Sequence, residues 1–362
     1  ELAFEKYAYV TNNSAGLKRF VFDLTDMENF TVEGNGSKFI LHGFVSAFTI
    51  DSCSNVTIKD FTMDYARTFH SEGKVERVGE GWVDLRFPAD YRYDIRNGNL
   101  YFSDERGNNY PFSHLLEMNS ERREPEFMAS DYWLTDNTIP AEKREDGTVR
   151  IFKDKLTAKV GNVLFLGPGH RLCPAIAIDE SAGVNIHDVT IRHAGCMGVV
   201  AQHSRDIELL RVYIEPEEGS ERMISITADA THFTHCEGYL RMIDCHFFNQ
   251  IDDATNIHGM YGIVKQILEP NRILVFFPHE QQYGLDVLRE GRTVEMLKQM
   301  SLTTYDEIKV EEVVRLNKEW YEVAFAKDIA EDATVGDLIT DISYPEVLIK
   351  GCRMGNNRAR GL

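Results

Sequence analysis

The chain has 362 residues, 43% of them hydrophobic and 27% charged, an ordinary composition for a folded protein with room for a large core or more than one unit. Its 39 Lys and Arg against 58 Asp and Glu give a formal net charge of −19, which argues against a nucleic-acid groove or an anionic membrane surface, since both are met by basic patches. No apolar run approaches the roughly 18 to 20 residues of a membrane span, and the N-terminal ELAFEKYAYV lacks the basic, apolar and small-residue order of a signal peptide, so the chain reads as mature or trimmed.

Taken in chain order, the predicted elements repeat. Residues 27–43 (MENFTVEGNGSKFILHG) are followed by residues 53–65 (CSNVTIKDFTMDY), and the same phrase returns at 181–194, 204–216 and 236–248. The phrase is small residue, turn, strand, turn, strand. Phe30 and Val56 stand 26 residues apart, Val184 and Ile207 23, and Ile207 and Tyr239 32, an imperfect period whose excess belongs in loops. Within each phrase apolar residues alternate, as in Val56, Ile58, then Phe61, Met63, which is strand rather than helix periodicity.

A unit of two or three short strands cannot bury its apolar face alone, so such units stack, each hydrogen-bonded to the coil above and below. The pattern therefore predicts an all-β chain built on a right-handed parallel β-helix. A sandwich of short antiparallel strands is the competitor, and it is disfavoured because Asn-Gly hairpin turns are scarce in the repeats. The GNG at 34–36 sits between strands rather than before a helix and reads as a turn.

Two tracts interrupt the phrase. Residues 73–162 and 261–342 turn polar and turn-rich, with hairpin signals, and are predicted to be inserted β-barrel-like domains, because loops of this length without structure are uncommon. The β-helix then comprises residues 1–72, 163–260 and 343–362. The chain stops inside a coil-like phrase, so further coils and a cap are expected beyond Leu362. The six cysteines lie far apart without CxxC pairs and read as buried small hydrophobes, not as a zinc site or a disulfide framework.

The chemistry gathers in residues 225–259, SITADATHFTHCEGYLRMIDCHFFNQIDDATNIHG. Asp229 and His232 stand in one segment, and Asp252, Asp253, Asn256 and His258 in the next, with 23 residues between the first aspartates. If one coil takes that length here, the carboxylates occupy equivalent places on neighbouring coils about 4.8 Å apart. Asp252 and Asp253 are expected at a turn or bulge where both reach solvent. Carboxylates this close cannot all ionise easily, so one is expected to hold a proton while another stays charged, as a general acid and a general base require. For a lone Asp-Asp pair, turn capping is the commoner reading; it is the third aspartate and the interleaved donors that favour a site for a polyhydroxylated ligand. His187, His193 and His203 show no partner pattern and read as structural.

The coil phrases, DATHF, DDATNIHG one coil later and the closing NNRARG together resemble glycoside hydrolase family 110, bacterial exo-acting α-1,3-galactosidases. The resemblance covers most of the chain and implies barrel insertions in a parallel β-helix, a galactose-terminated glycan as partner, hydrolysis with inversion of configuration, and neither metal nor cofactor. The aspartate layout is also similar to that of pectin-cleaving β-helix hydrolases, whose later Gly-His-Gly and Arg-Ile-Lys segments are missing. By that analogy Asp252 is expected as the acid, with Asp229 and Asp253 holding and deprotonating the water. His232, Asn256, His258 and Arg358 would bind hydroxyls, and Trp133 would stack on the sugar.

Three other classes stay open: a polysaccharide lyase on the same fold, a non-catalytic sugar-binding β-helix, and an epimerase, the last disfavoured by the lack of a cofactor motif. Oligomeric state is open, with a homo-oligomer among the options. An exported bacterial location is inferred from function alone.

Overall fold

The computed structural model describes residues 3–14 and 16–362, so residues 1, 2 and 15 of the expected β-helix range lie outside the described residues. Two parallel sheets run the length of a coiled stack. One takes Gly16–Thr25, Ser46–Asp51, Ile176–Asp179, Val199–Gln202, Thr231–Thr234 and Thr255–His258 in that order. The other takes Glu28–Leu41, Ser54–Tyr65, Ala182–Ile191, Arg205–Ile214, Glu237–Ile243 and Glu346–Lys350. Each strand of the first sheet leads into the matching strand of the second, and we number these six coils in chain order; the barrel insertion splits the sixth.

Inward-facing residues form the core, among them Phe48, Ile58, Ile178, Ile186, Phe233 and Leu240. Each apolar side chain stacks on its counterpart in the next coil, as Val56, Val184 and Ile207 do. Burying each such side chain stabilises the stack by about 1.5–3 kcal/mol, and a charge at Ile186, which is fully buried, would break it.

The turns between the two sheets are left-handed at one residue per coil: Asp26, Ser52, Glu180, His203 and His235 all have φ between 46° and 56°. Each stands one residue before the repeating phrase, whose own first turn follows at Asn29, Asn55, Gly183, Asp206 and Gly238, also with positive φ. The register of coil 5 departs from the spacing expected from Ile207 to Tyr239: Ile207 pairs with Leu240, because the ladder is irregular after Arg205. Gly238 takes φ 63° there, and a Cβ on it would meet Asp206 Oδ1 at 2.2 Å.

Both interruptions are folded. Strands between Ser71 and Gly167 make an eight-stranded antiparallel sheet with its own core of Val75, Leu85, Leu100, Leu115, Ile151 and Leu164. Strands between Gly262 and Asp341 close into a six-stranded antiparallel barrel around Val264, Val275, Ile308 and Val323. The cysteines are free thiols, all buried except the half-buried Cys352. Among the described residues, no helix is long and apolar enough to cross a membrane.

The N-terminal segment closes the stack from outside. After Phe4–Ala8 pairs antiparallel to Gly16–Thr25, the chain crosses the outer face of the first sheet. There Gln202 Nε2 donates to the Tyr9 carbonyl and Thr11 N–H donates to Gln202 Oε1.

Candidate active site

The strands of coils 5 and 6 set the site. Thr231 and Phe233 point into the core, so His232 and Thr234 point outward. One coil on, Thr255 and Ile257 point in, and Asn256 and His258 point out. His232 lies beside Asn256 and Thr234 beside His258 in the ladder. The repeat here is therefore 24 residues, and Asp229 neighbours Asp253 rather than Asp252. The Ala230 N–H donating to the Asp253 carbonyl at 2.9 Å continues that register into the bend.

The three aspartates occupy unlike environments. Asp229 is buried and accepts from His232 Nδ1 at 2.6 Å. Asp253, expected to reach solvent, is only 2% exposed. The Arg360 guanidinium forks onto it at 3.1 and 2.7 Å, the Arg360 N–H donates to Oδ1 at 2.9 Å, and Asn256 Nδ2 donates at 3.3 Å. A buried carboxylate needs such partners, and they cover it. Asp252 alone of the three reaches solvent in part, and Arg171 Nη2 donates to it at 2.7 Å. Burial pushes the Asp252 carboxyl above its ordinary range, and the charges of Asp229 and Asp253 push the same way, while Arg171 and Arg358 oppose them.

The expected sugar-binding residues divide. His232 is fully buried, with Nδ1 on Asp229 and Nε2 facing both Asn12 Nδ2 at 3.2 Å and His258 Nε2 at 2.9 Å. No ring nitrogen is left for a hydroxyl, so this histidine reaches a substrate only through Asp229. His258 is partly exposed, and its Nδ1 contacts the Gly259 carbonyl at 2.7 Å. Asn256 keeps its amide oxygen and one N–H for a ligand. Arg358 forks onto Asp131 of the first insertion, which also receives His114 Nε2 at 2.7 Å. Those bonds hold the Asp131 carboxyl below its usual range although burial raises it. Trp133 stacks on the His114 ring at 4.4 Å and 9° and remains 61% exposed. His193 is structural: Phe69 N–H donates to its Nε2, and its Nδ1 contacts the Ser225 carbonyl.

Arg171, Asn12, Asp131, His114 and Arg360 were not singled out from sequence. Asn12, Asp131 and Arg171 belong to irregular segments outside the repeat and His114 to a strand of the first insertion; only Arg360 carried a signal, two residues beyond Arg358 in the closing NNRARG.

Elsewhere, Asp179, Glu180 and His203 bring one potential ligand atom each within 4.8 Å of one another. The Arg289 guanidinium forks onto Glu180 and already supplies the cation, so these residues do not fit a metal ion. A cavity of about 410 Å³ lies between coil 2 and the first insertion, beside Arg67, Glu72, Tyr91 and Arg222. Of the trio, Asp252 is the member that opens to solvent, while Asp229 and Asp253 lie beneath the surface.

The architecture is that of a β-helix carrying two inserted β-domains. A family model described as GLAA-B beta-barrel domain I matches residues 71–164, and one described as GLAA-B beta-barrel domain II matches residues 272–339. Alpha-1,3-galactosidase A of Shewanella woodyi is 34% identical over 360 residues, 98% of this chain and 59% of that protein. Alpha-1,3-galactosidase B of Bacteroides thetaiotaomicron is 27% identical over 376 residues, 99% of this chain and 60% of that protein. Alpha-1,3-galactosidase A of Bacteroides fragilis is 26% identical over 372 residues, 100% of this chain and 61% of that protein. The chain thus spans about three-fifths of the length of these relatives. These likenesses are consistent with the family its sequence resembles, glycoside hydrolase family 110.

Proposed function

We propose that this chain carries the catalytic β-helix of an exo-acting glycosidase that releases terminal α-1,3-linked galactose with inversion of configuration. The observation that carries the reading is the division of labour among three carboxylates on adjacent turns. Asp252 is half-exposed and held toward its protonated form, while Asp229 and Asp253 are buried among donors that suit carboxylates. The names of the relatives support galactose as the sugar.

Inversion needs one carboxylic acid to protonate the leaving oxygen and a carboxylate across the sugar ring to take a proton from water. In this reading the Asp252 proton passes to the glycosidic oxygen as the bond from the anomeric carbon breaks. Water attacks from the opposite face, held by Asp229 and Asp253, and gives its proton to Asp229. The Trp133 face, held by His114, stacks on the apolar face of a sugar, and Asn256 binds a hydroxyl. Such an enzyme would meet its glycan outside the cytoplasm, so export belongs to the same proposal.

The test uses two leaving groups. Asp252→Asn should slow hydrolysis of an α-1,3-galactosyl disaccharide by about 10²- to 10⁴-fold. It should slow an aryl α-galactoside far less, because a good leaving group needs little protonation. Equal losses on both substrates would remove Asp252 from the acid role.

A further inference from the structure

Three contacts run in series from Asp229 outward. Asp229 Oδ2 meets His232 Nδ1 at 2.6 Å, His232 Nε2 meets His258 Nε2 at 2.9 Å, and His258 Nδ1 meets the Gly259 carbonyl at 2.7 Å. Each needs one proton between its two atoms, since lone pairs facing each other at these distances repel. An ionised aspartate with two neutral imidazoles brings only two ring protons, so the chain of contacts holds one more. Asn12 Nδ2 donates to His232 Nε2 at 3.2 Å, which makes that nitrogen an acceptor. The proton between the two imidazoles then belongs to His258, and the one on His232 Nδ1 points at an ionised Asp229.

We propose that Asp229, His232 and His258 share one exchangeable proton, which Asn12 lodges on His258, and that His258 is thereby a positioning residue fixing Asp229 as an ionised proton acceptor. The proposal rests on the reading of Asp229 as the group that takes the proton from water.

The groups facing this chain are few. Asp229 stands on its own coil; Asp252, Asp253 and Asn256 stand on the next. The Thr234 hydroxyl, itself bonded to Thr11, faces His258 Nε2 at 3.5 Å; Asn12 comes from the N-terminal segment, Thr340 stands beside Gly259 on the barrel side, and Arg171 and Arg358 lie beyond Asp252. His235, in the turn of coil 5, is the remaining imidazole close enough to repel a charge on His258. Burial and the facing His232 pull the His258 proton affinity below that of an ordinary imidazole, and Gly259 and Asp229 oppose them. The shared proton is therefore a feature of the acid side of the range, and it leaves as pH rises.

Two measurements test this. Nitrogen-15 NMR of the histidine rings needs no substrate. At about pH 5, the acid end of the range over which imidazoles commonly titrate, it should show one doubly protonated imidazole assigned to His258. That state should fade toward about pH 8 and vanish in His258→Gln. Singly protonated His232 and His258 rings at pH 5 would overturn the proposal. In the kinetic arm, His258→Gln should move the acid limb of the kcat profile to higher pH with KM little changed, because Asp229 loses its neighbouring cation. Asn12→Ala should move it the same way by less, and serves where His258→Gln does not fold. A fall in kcat with an unmoved limb would mean a structural role only and overturn the proposal. A doubly protonated His258 in a protein that cleaves no galactoside would instead count against Asp229 as the base and leave the shared proton standing.

Discussion

The Arg358 guanidinium forks onto the Asp131 carboxylate, joining the segment that follows strand Arg353–Gly355 to the first inserted domain beside the aspartates. Asp131 in turn orients His114, on which Trp133 stacks. This one ion pair therefore sets where an exposed aromatic face stands relative to Asp252.

Breaking the pair should cost binding more than chemistry. Asp131→Ala leaves Arg358 unpaired and His114 free to turn. We expect KM to rise about tenfold, which at 1.4 kcal/mol per factor of ten is within reach of an aromatic contact, while kcat stays within a few-fold. Steady-state kinetics on a disaccharide checks this, and an unchanged KM would detach Trp133 from the site.

Arg171 is the first charge that opposes the raised proton affinity of Asp252. Its removal in Arg171→Met should raise that affinity further. An acid must be protonated to act, so the basic limb of the kcat profile should move to higher pH. A limb that stays in place or moves down would show that Asp252 is not the group titrating there.

Stability should carry its own pH signature through Glu72. Burial pushes this carboxyl up to about 7 from an ordinary 4.5, although the Met223 and Ile224 N–H groups bond to it. Its native affinity for a proton exceeds the unfolded one, so its contribution is fully present below pH 4.5 and is lost as pH rises through about 7. The loss is on the order of 3 kcal/mol, at 1.4 kcal/mol per tenfold change in proton affinity. Glu72→Gln should therefore narrow the difference in Tm between pH 5 and pH 8, as thermal unfolding across that range would read. A difference as wide as in the parent would contradict the account.

Much of this was legible in the chain because the β-helix writes its geometry as a repeat. Val56, Val184 and Ile207 announce a ladder, and the phrases around them mark where the chain turns. Less visible were the left-handed turn positions of Glu180, His203 and His235, since such residues carry no turn signal of the kind Asn or Gly does. The aspartate trio was found by counting. Counting also misplaced its register by one residue, because Asp252 and Asp253 lie in a bend, where strand alternation no longer applies. What surrounds the trio was not legible. Asn12, Asp131 and Arg171 come from an N-terminal crossing, an inserted hairpin and a loop between coils, and only tertiary folding brings them to one place.

Inversion is the central claim, and the configuration of the first product tests it most directly. Proton NMR of an α-1,3-galactosyl disaccharide during early hydrolysis should show β-galactose appearing first, with the α form growing in only by mutarotation. Initial release of α-galactose would contradict the assignment of Asp252 as acid with Asp229 and Asp253 across the ring, and no hydrolysis at all would contradict the proposed function itself.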